Sequence, residues 1–365
     1  MALPPLVAPA ASLSPAEAAR TARHAALYPL GELGQRRLAA ARVAIVGAGG
    51  LGSPAVLALA AAGVGRLTVI DDDVVDASNL QRQILHRMRD EGRAKVDSAV
   101  RAAADLAPEC VVEAVRERLT PDNAERLLAG ADVVLDGTDT FASRLAVAAA
   151  CENLGVPLVW GAVQEFTAQV TVFWSRPPAG APRVVLADLH PGAGELPTCA
   201  EVGVLGSVVL QVGSLMATQA ILLIAGIGDP LLGRIALVDA LRSTAREVPL
   251  LAAAGDGDPA AGAADPGAGR ADPAPAAADL PAGAVVVDVR EPSERAGGVI
   301  PGAVLIPLAE LAADERIRFD APVVTVCASG VRSRRAAEIL AARGTGATSM
   351  PGGMAAWTGR VEVPA

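Results

Sequence analysis

Three short runs, RVAIVG at 42–47, LTVID at 67–71 and ADVVLDGTD at 131–139, are apolar at nearly every core position. A strand with one face in water alternates apolar and polar residues. A run with no polar face must be covered on both sides, and a parallel sheet between two layers of helices provides that cover. The segments between the runs, LGSPAVLALAAAG and KVDSAVRAAADL, are Ala-rich and helical in pattern, so the chain reads as successive βαβ units. Apolar residues make up 52% of the chain and aromatics only 2%. Its cores must therefore be packed from small aliphatic side chains, which suits α/β layers better than an aromatic-filled sandwich.

Residues 252–279 consist of Ala, Gly, Asp, Pro and one Arg, too little apolar area to offset the entropy of ordering them. This segment reads as a linker spanning roughly 25–35 Å as a flexible coil. It separates a domain at 20–251 from a smaller one at 280–365, where AVVVDVR, VVTVC and RSRRAAEILAARG repeat the strand and helix alternation. Residues 1–19, broken by prolines and lacking a basic leader, read as a loose arm. The stretch 204–227 is long and apolar, yet it carries Gln211, Ser214, Thr218 and Gln219 and no flanking Lys or Arg, which marks a buried core helix, not a membrane span. A formal charge of -9 argues against a general nucleic-acid or acidic-membrane surface. Four scattered cysteines without a C-x-x-C pair fit reduced thiols and a cytoplasmic location.

In VAIVGAGGLGSPAV, Gly47, Gly49 and Gly52 form G-x-G-x-x-G between a strand and a helix, the context in which backbone N–H groups cradle a nucleotide's phosphates. Asp71 closes the next strand, where a carboxylate can accept both hydroxyls of a ribose. These features alone fit an NAD-dependent oxidoreductase as well. The following segment carries Asn79, Arg82 and Lys95, and two fixed cations suit a triphosphate better than a dinucleotide, because charge must be neutralised as pyrophosphate leaves. Asp136 and Asp139 end another strand, and a carboxylate there could hold Mg²⁺. Singly, Arg82 and Lys95 also fit a solvated helix face, and Asp139 a helix N-cap.

The ordered set GAGGLGS, AAGVG, SNLQRQ, a lysine before an SA-containing helix, DGTD, PTCAEVGVLG and VGSLMATQAI resembles the MoeB/ThiF adenylyltransferases, relatives of ubiquitin-activating enzymes, over about residues 20–250. The resemblance implies ATP- and Mg²⁺-dependent adenylation of the C-terminal glycine of a ubiquitin-like sulfur-carrier protein ending in Gly-Gly. It assigns the nucleotide to Gly50 and Asp71, the phosphates to Ser78, Asn79, Arg82 and Lys95, and Mg²⁺ to Asp139. It also implies a homodimer in which Arg23 reaches the phosphates of the other subunit. A non-catalytic binder of such tails is the alternative. Two departures stand out. Thr140 follows the Mg²⁺ aspartate where relatives have asparagine, and the two C-x-x-C pairs that hold a structural zinc in many relatives are missing, so no zinc is expected and apolar packing should replace it. Cys199, in ELPTCAEVG, matches a cysteine that takes the acyl group or joins a persulfide exchange; as a plain residue it could equally be a buried thiol. Cys110 and Cys151 fall in apolar patterns and read as core.

In the last domain, VVTVC ends a strand and SRRAAEILAARG begins a helix, placing Cys327 at a strand-to-helix junction. The N–H groups of such a turn can form an anion nest, and with Arg332 they would stabilise a negative sulfur. The segments DVRE, IPGA, CASGVRS and MPGGMAAW over about 278–365 resemble the rhodanese family. That resemblance implies a persulfide carried on Cys327 within a loop of Ala328, Ser329, Gly330, Val331 and Arg332, charged by thiosulfate or a cysteine-desulfurase donor, with Asp288 and Arg290 as structural supports. Relatives with longer loops act on phosphate, so a phosphatase is disfavoured. Together the two domains would yield a protein thiocarboxylate.

Overall fold

The computed structural model describes residues 3–190, 203–250, 280–281 and 283–362. It divides into two compact units, with the described residues up to Leu250 in the first and those from Leu280 in the second. The expected linker and Cys199 lie outside the described residues.

In the first unit, β1 (Arg42–Val46), β2 (Arg66–Ile70), β3 (Val111–Val115), β4 (Val133–Asp136), β5 (Leu158–Gln164), β6 (Thr167–Phe173), β7 (Arg234–Asp239) and β8 (Thr244–Pro249) form one sheet in the order β3-β2-β1-β4-β5-β6-β7-β8. The five strands from β3 to β5 are mutually parallel, and β6 to β8 extend the sheet antiparallel. The chain winds outward from β1 to β3 and then returns to β4 on the other side of β1, so a crevice opens where β1 and β4 end. Register fixes what stands there. Val46 is level with both Ile70 and Asp136, so the residues that follow, Gly47, Asp71 and Gly137, emerge side by side.

The covering helices are α1 (Pro15–Arg20), α2 (Ala22–Ala25), α3 (Gly31–Ala40), α4 (Gly52–Ala61), α5 (Lys95–Leu106), α6 (Ala124–Leu128), α7 (Phe141–Leu154), α8 (Leu186–Leu189) and α9 (Gly206–Ala225). Helix α9, long and apolar enough to cross a membrane, packs instead against α3, α4 and strands β4 to β6. Val212, Met216, Ala220 and Ile224, spaced by four, are buried there, as an apolar stripe of period 3.6 requires. Its Gln219 accepts the N–H of Leu231 at 2.8 Å, which satisfies a polar group within the core.

The amino-terminal segment is not the loose arm that its prolines imply. Leu3 and Val7 join the core, the N–H of Leu6 donates to Leu223 O on α9 at 3.2 Å, and that of Ala10 donates to Arg36 O on α3 at 3.0 Å. Ser14 then caps α1 by accepting the N–H of Glu17 at 3.0 Å, with Pro15 as the first helical residue. At the first position where relatives hold zinc, Val184, Val185 and Leu186 are buried and Val184 bridges Trp174; the second falls outside the described residues. Cys110 and Cys151 are buried in the core, and burial pushes the Cys110 thiol up to about 11.

The second unit is a four-stranded parallel sheet of β9 (Val285–Asp288), β10 (Val304–Leu305), β11 (Val323–Val326) and β12 (Ala347–Ser349), ordered β10-β9-β11-β12, with helices α10 (Leu308–Ala313), α11 (Val331–Ala342) and α12 (Gly353–Ala356). Its faces have separate cores. Val287, Val323, Leu311 and Leu340 fill one, and Val286, Val324, Val326 and Met350 the other. Alternate residues of one strand thus serve opposite layers, which is why VVVD and VVTV show no polar face.

Candidate active site

The crevice of the first unit is lined by Gly47, Gly49, Gly50, Asp71, Asp73, Arg82, Gln83, Lys95, Arg118, Asp139, Thr140 and Arg144, among others. Its floor is the turn between β1 and α4. A Cβ on Gly52 would lie 1.8 Å from Gly47 O, so only glycine lets the helix begin this close to the strand end. The turn is held at one peptide from both sides. The N–H of Ala48 donates to Asp71 Oδ2 at 2.7 Å, and Ala48 O pairs with His86 Nε2 at 3.1 Å. A carbonyl only accepts, so Nε2 carries the proton and Nδ1, buried without a partner, is the bare nitrogen. Burial lowers His86 to about 4, which keeps the ring neutral. Asp71 also accepts the N–H of Asp73 at 2.8 Å. Burial raises its pKa, while the charge of Lys95 and the Ala48 N–H pull it back down.

Lys95 opens α5 with its side chain buried and its Nζ 2.9 Å from Asp73 Oδ2. Arg82, half-buried, reaches the cleft from the turn after Ala77–Asn79, with Nη1 3.2 Å from Ser78 O. Ser78 and Asn79 themselves do not line the crevice. The Ser78 hydroxyl donates to Asp76 Oδ1 at 2.5 Å, and Asn79 Oδ1 accepts the N–H of Asp76 at 3.3 Å. These two side chains build the turn that presents Arg82, which corrects their expected position at the phosphates. Of the two aspartates at the end of β4 and just beyond it, Asp136 closes the strand, is fully buried and accepts the amide and hydroxyl of Thr138 at 2.9 and 2.7 Å; burial raises its pKa. Asp139 stands exposed at the cleft. It is not the helix N-cap, because Thr140 takes that position and accepts the N–H of Ser143 at 3.2 Å. Its carboxylate is left facing the crevice.

Among the cleft residues, Gln83, Arg118 and Arg144 had no part in the sequence reading, and neither did His86, buried against the Ala48 peptide. Arg144 lies over the buried Trp160 ring at 5.6 Å and donates to Thr138 O at 3.3 Å. Its signal was available, since a single arginine in FASRLAVAAA must find a polar outlet. Arg23 lies on α2, is exposed and does not line the crevice; a few residues on, Leu27 and Tyr28 are 56% and 98% exposed.

In the second unit, Val326 is level with Asp288, so Cys327 leaves β11 beside the start of the Val289–Arg290 turn. Its thiol is free and buried, and Sγ accepts the N–H of Gly330 at 3.1 Å. Gly330 has φ +95, and a Cβ there would approach Gly352 N to 3.1 Å, so the loop closes only with glycine. The following segment clamps it. The N–H groups of Met354 and Ala355 donate to Cys327 O and Ala328 O at 2.7 and 2.9 Å. Ala328, Ser329, Val331 and Arg332 complete a half-buried rim. Beneath it, Asp288 and Arg290 form a buried ion pair at 2.7 Å, and Arg290 also donates to Glu294 O and Gly298 O at 3.1 and 2.9 Å. Glu294 in turn grips Arg332 through both carboxylate oxygens at 2.6 and 2.5 Å. That ion pair, unforeseen from sequence, raises Arg332 and lowers Glu294.

A glycine turn, a carboxylate at the end of the neighbouring strand and clustered cations at one crevice define a nucleotide-binding α/β unit, and a cysteine in a closed anion-type loop defines a second, thiol-bearing unit. Residues 21–258 match the ThiF family and residues 272–360 the rhodanese-like domain. The chain belongs to the ThiF family, as an adenylyltransferase that uses ATP joined to a rhodanese-like sulfurtransferase domain. It is 40% identical to the "Probable adenylyltransferase/sulfurtransferase MoeZ" of Mycobacterium tuberculosis over 99% of this chain and 97% of that protein. It is 42% identical to the "Sulfur carrier protein adenylyltransferase" of Thermus thermophilus, covering 62% of this chain and 84% of that one. Among solved structures, E. coli MccB with ATP shares the fold at 20% identity and a TM-score of 0.54, over 65% of this chain and 73% of that chain.

Proposed function

We propose that the first unit adenylates the C-terminal carboxylate of a ubiquitin-like sulfur-carrier protein and that Cys327 supplies the sulfur that replaces the AMP. The observation that carries this reading is the shared register of β1, β2 and β4, which gathers Gly47, Asp71 and the Asp139 loop around Arg82 and Lys95. A carboxylate resists nucleophiles because it is anionic and its oxygen leaves poorly. The carrier's carboxylate attacks the α-phosphorus, pyrophosphate departs, and the resulting acyl adenylate has AMP as a good leaving group. The chain's own part is positioning and charge stabilisation. Asp71 receives the ribose hydroxyls, the Gly47–Gly52 turn and Lys95 and Arg82 receive the phosphates, and Arg23 enters from the second subunit of a homodimer. The exposed Asp139 carboxylate fits a hard cation, and bound Mg²⁺ would neutralise charge on the leaving pyrophosphate.

A thiolate at Cys327 takes a sulfane sulfur from thiosulfate or a cysteine-desulfurase persulfide. The outer sulfur then attacks the acyl carbon and AMP leaves. A second thiol attacking Sγ releases the thiocarboxylate and leaves a disulfide; Cys199 is the candidate. The name of the Thermus relative supports a carrier protein as substrate. The test is pyrophosphate exchange into ATP, dependent on a carrier ending in Gly-Gly. It should vanish in Asp139→Ala and persist in Cys327→Ala, whereas sulfur transfer should vanish in both. Exchange that survives in Asp139→Ala would overturn the assignment.

A further inference from the structure

Both terminal nitrogens of Arg332, the one arginine of the cysteine loop, are occupied by a single carboxylate. Glu294 binds them in a fork at 2.6 and 2.5 Å, and the Arg332 side chain is only 14% exposed against 33% for Glu294. Glu294 is itself fixed. It accepts the N–H of Glu291 at 2.9 Å, and its carbonyl receives Arg290 Nη1 at 3.1 Å. Arg332 is close enough to Cys327 for the two charges to interact, and Glu291 adds a further negative charge nearby. The loop cation is therefore neutralised by a rigid, charge-assisted fork.

We infer that Glu294 determines donor specificity at Cys327, masking Arg332 so that the site disfavours free thiosulfate and favours a sulfane sulfur delivered on a thiol. This rests on the reading of Cys327 as the persulfide carrier. With thiosulfate, the Cys327 thiolate attacks the outer sulfur, the S–S bond breaks, and sulfite leaves with the bonding pair; no outside oxidant or reductant is needed. Two negative charges must approach the loop and remain on the sulfite as it departs, and an unmasked arginine would stabilise them. With a thiol persulfide the same attack expels one thiolate, which needs no oxyanion partner.

The experiment compares the full chain with Glu294→Gln and Glu291→Gln, using thiosulfate and, separately, cysteamine persulfide, whose ammonium offsets its sulfur charge. Intact mass follows the sulfur gained on Cys327. Glutamine keeps an acceptor for Arg332 but removes the charge, so Glu294→Gln should lower the KM for thiosulfate at least about fivefold at low salt, with the gain shrinking as ionic strength rises. The rate with cysteamine persulfide should stay within about twofold. Glu291→Gln, which touches nothing on Arg332, should move the thiosulfate KM the same way by less. An unchanged thiosulfate KM in both variants overturns the inference, as does an equal loss with both donors in Glu294→Gln, the mark of a merely structural role. Failure of the native chain to gain sulfur on Cys327 from either donor sinks the carrier reading beneath it.

Discussion

Replacing Arg290 with Met tests whether the sulfurtransferase loop depends on a buried charge. Asp288 is fully buried, and the Arg290 side chain is 6% exposed. The guanidinium supplies three contacts to the carboxylate, at 3.0, 3.1 and 2.7 Å, and satisfies two backbone carbonyls. Methionine fills much of the volume but leaves Asp288 with the backbone N–H of residue 290 at 3.0 Å. Breaking such a pair from one side costs about 3–5 kcal/mol, because an uncompensated charge stays buried. A unit of about 80 residues holds roughly 4–12 kcal/mol in all, so the loss is a large fraction of its stability. At about 4–8 °C per kcal/mol, its melting transition should fall by at least about 12 °C. Calorimetry on the full chain should show that transition move while the one from the first unit stays. Adding Asp288→Asn removes the stranded charge and should recover much of the loss. A single variant that melts within a few degrees of the native chain, or a double variant no better than the single, would refute the reasoning.

Two further outcomes follow from the first unit. His86 is neutral in the fold, with a pKa lowered from 6.5 to about 4; between these values the unfolded chain binds the extra proton, so stability should be full above pH 6.5 and decline as pH falls toward 4. Acid titration of Tm should show that slope, and His86→Gln should flatten it. If Arg23 serves the partner's phosphates, Arg23→Ala and Asp139→Ala should each be inactive in pyrophosphate exchange, yet mixing them through denaturation and refolding should restore about a quarter of the native rate; no recovery would show that Arg23 does not act across the dimer.

The parallel layers were legible because all-apolar strands admit few other arrangements, and the glycine turn because its spacing carries its own geometry. What escaped depended on partners that spacing alone does not name, some of them distant in sequence and some adjacent. Leu3 and Val7 gave no periodic signal because an extended segment buries residues wherever a groove receives them, here beside α9. The resemblance places Ser78 and Asn79 at the phosphates, but short polar side chains next to a backbone turn find local partners first, and Asp76 supplies them. Asp139 gained its place because Thr140 took over the cap. Nothing in local spacing pairs Glu294 with Arg332; only the parallel register of β9 and β11 brings the segments after them together.

Both sites hold their principal cation against a carboxylate, and the two pairs differ in a way that matters for what each admits. Lys95 is buried and Asp73 is 59% exposed, joined by one contact at 2.9 Å. If the lysine serves the phosphates as proposed, Asp73 is already mostly hydrated when it is released, so little desolvation has to be undone and a polyvalent anion would win the exchange. Arg332 is gripped through two oxygens by a carboxylate fixed at its own backbone, and no single displacement frees it. In the proposed reaction the first arrangement would yield to a polyphosphate and keep the lysine placed until it arrives. The second resists a small anion, and the nucleophilic sulfur of Cys327 is reserved for donors that can reach it without the arginine's help.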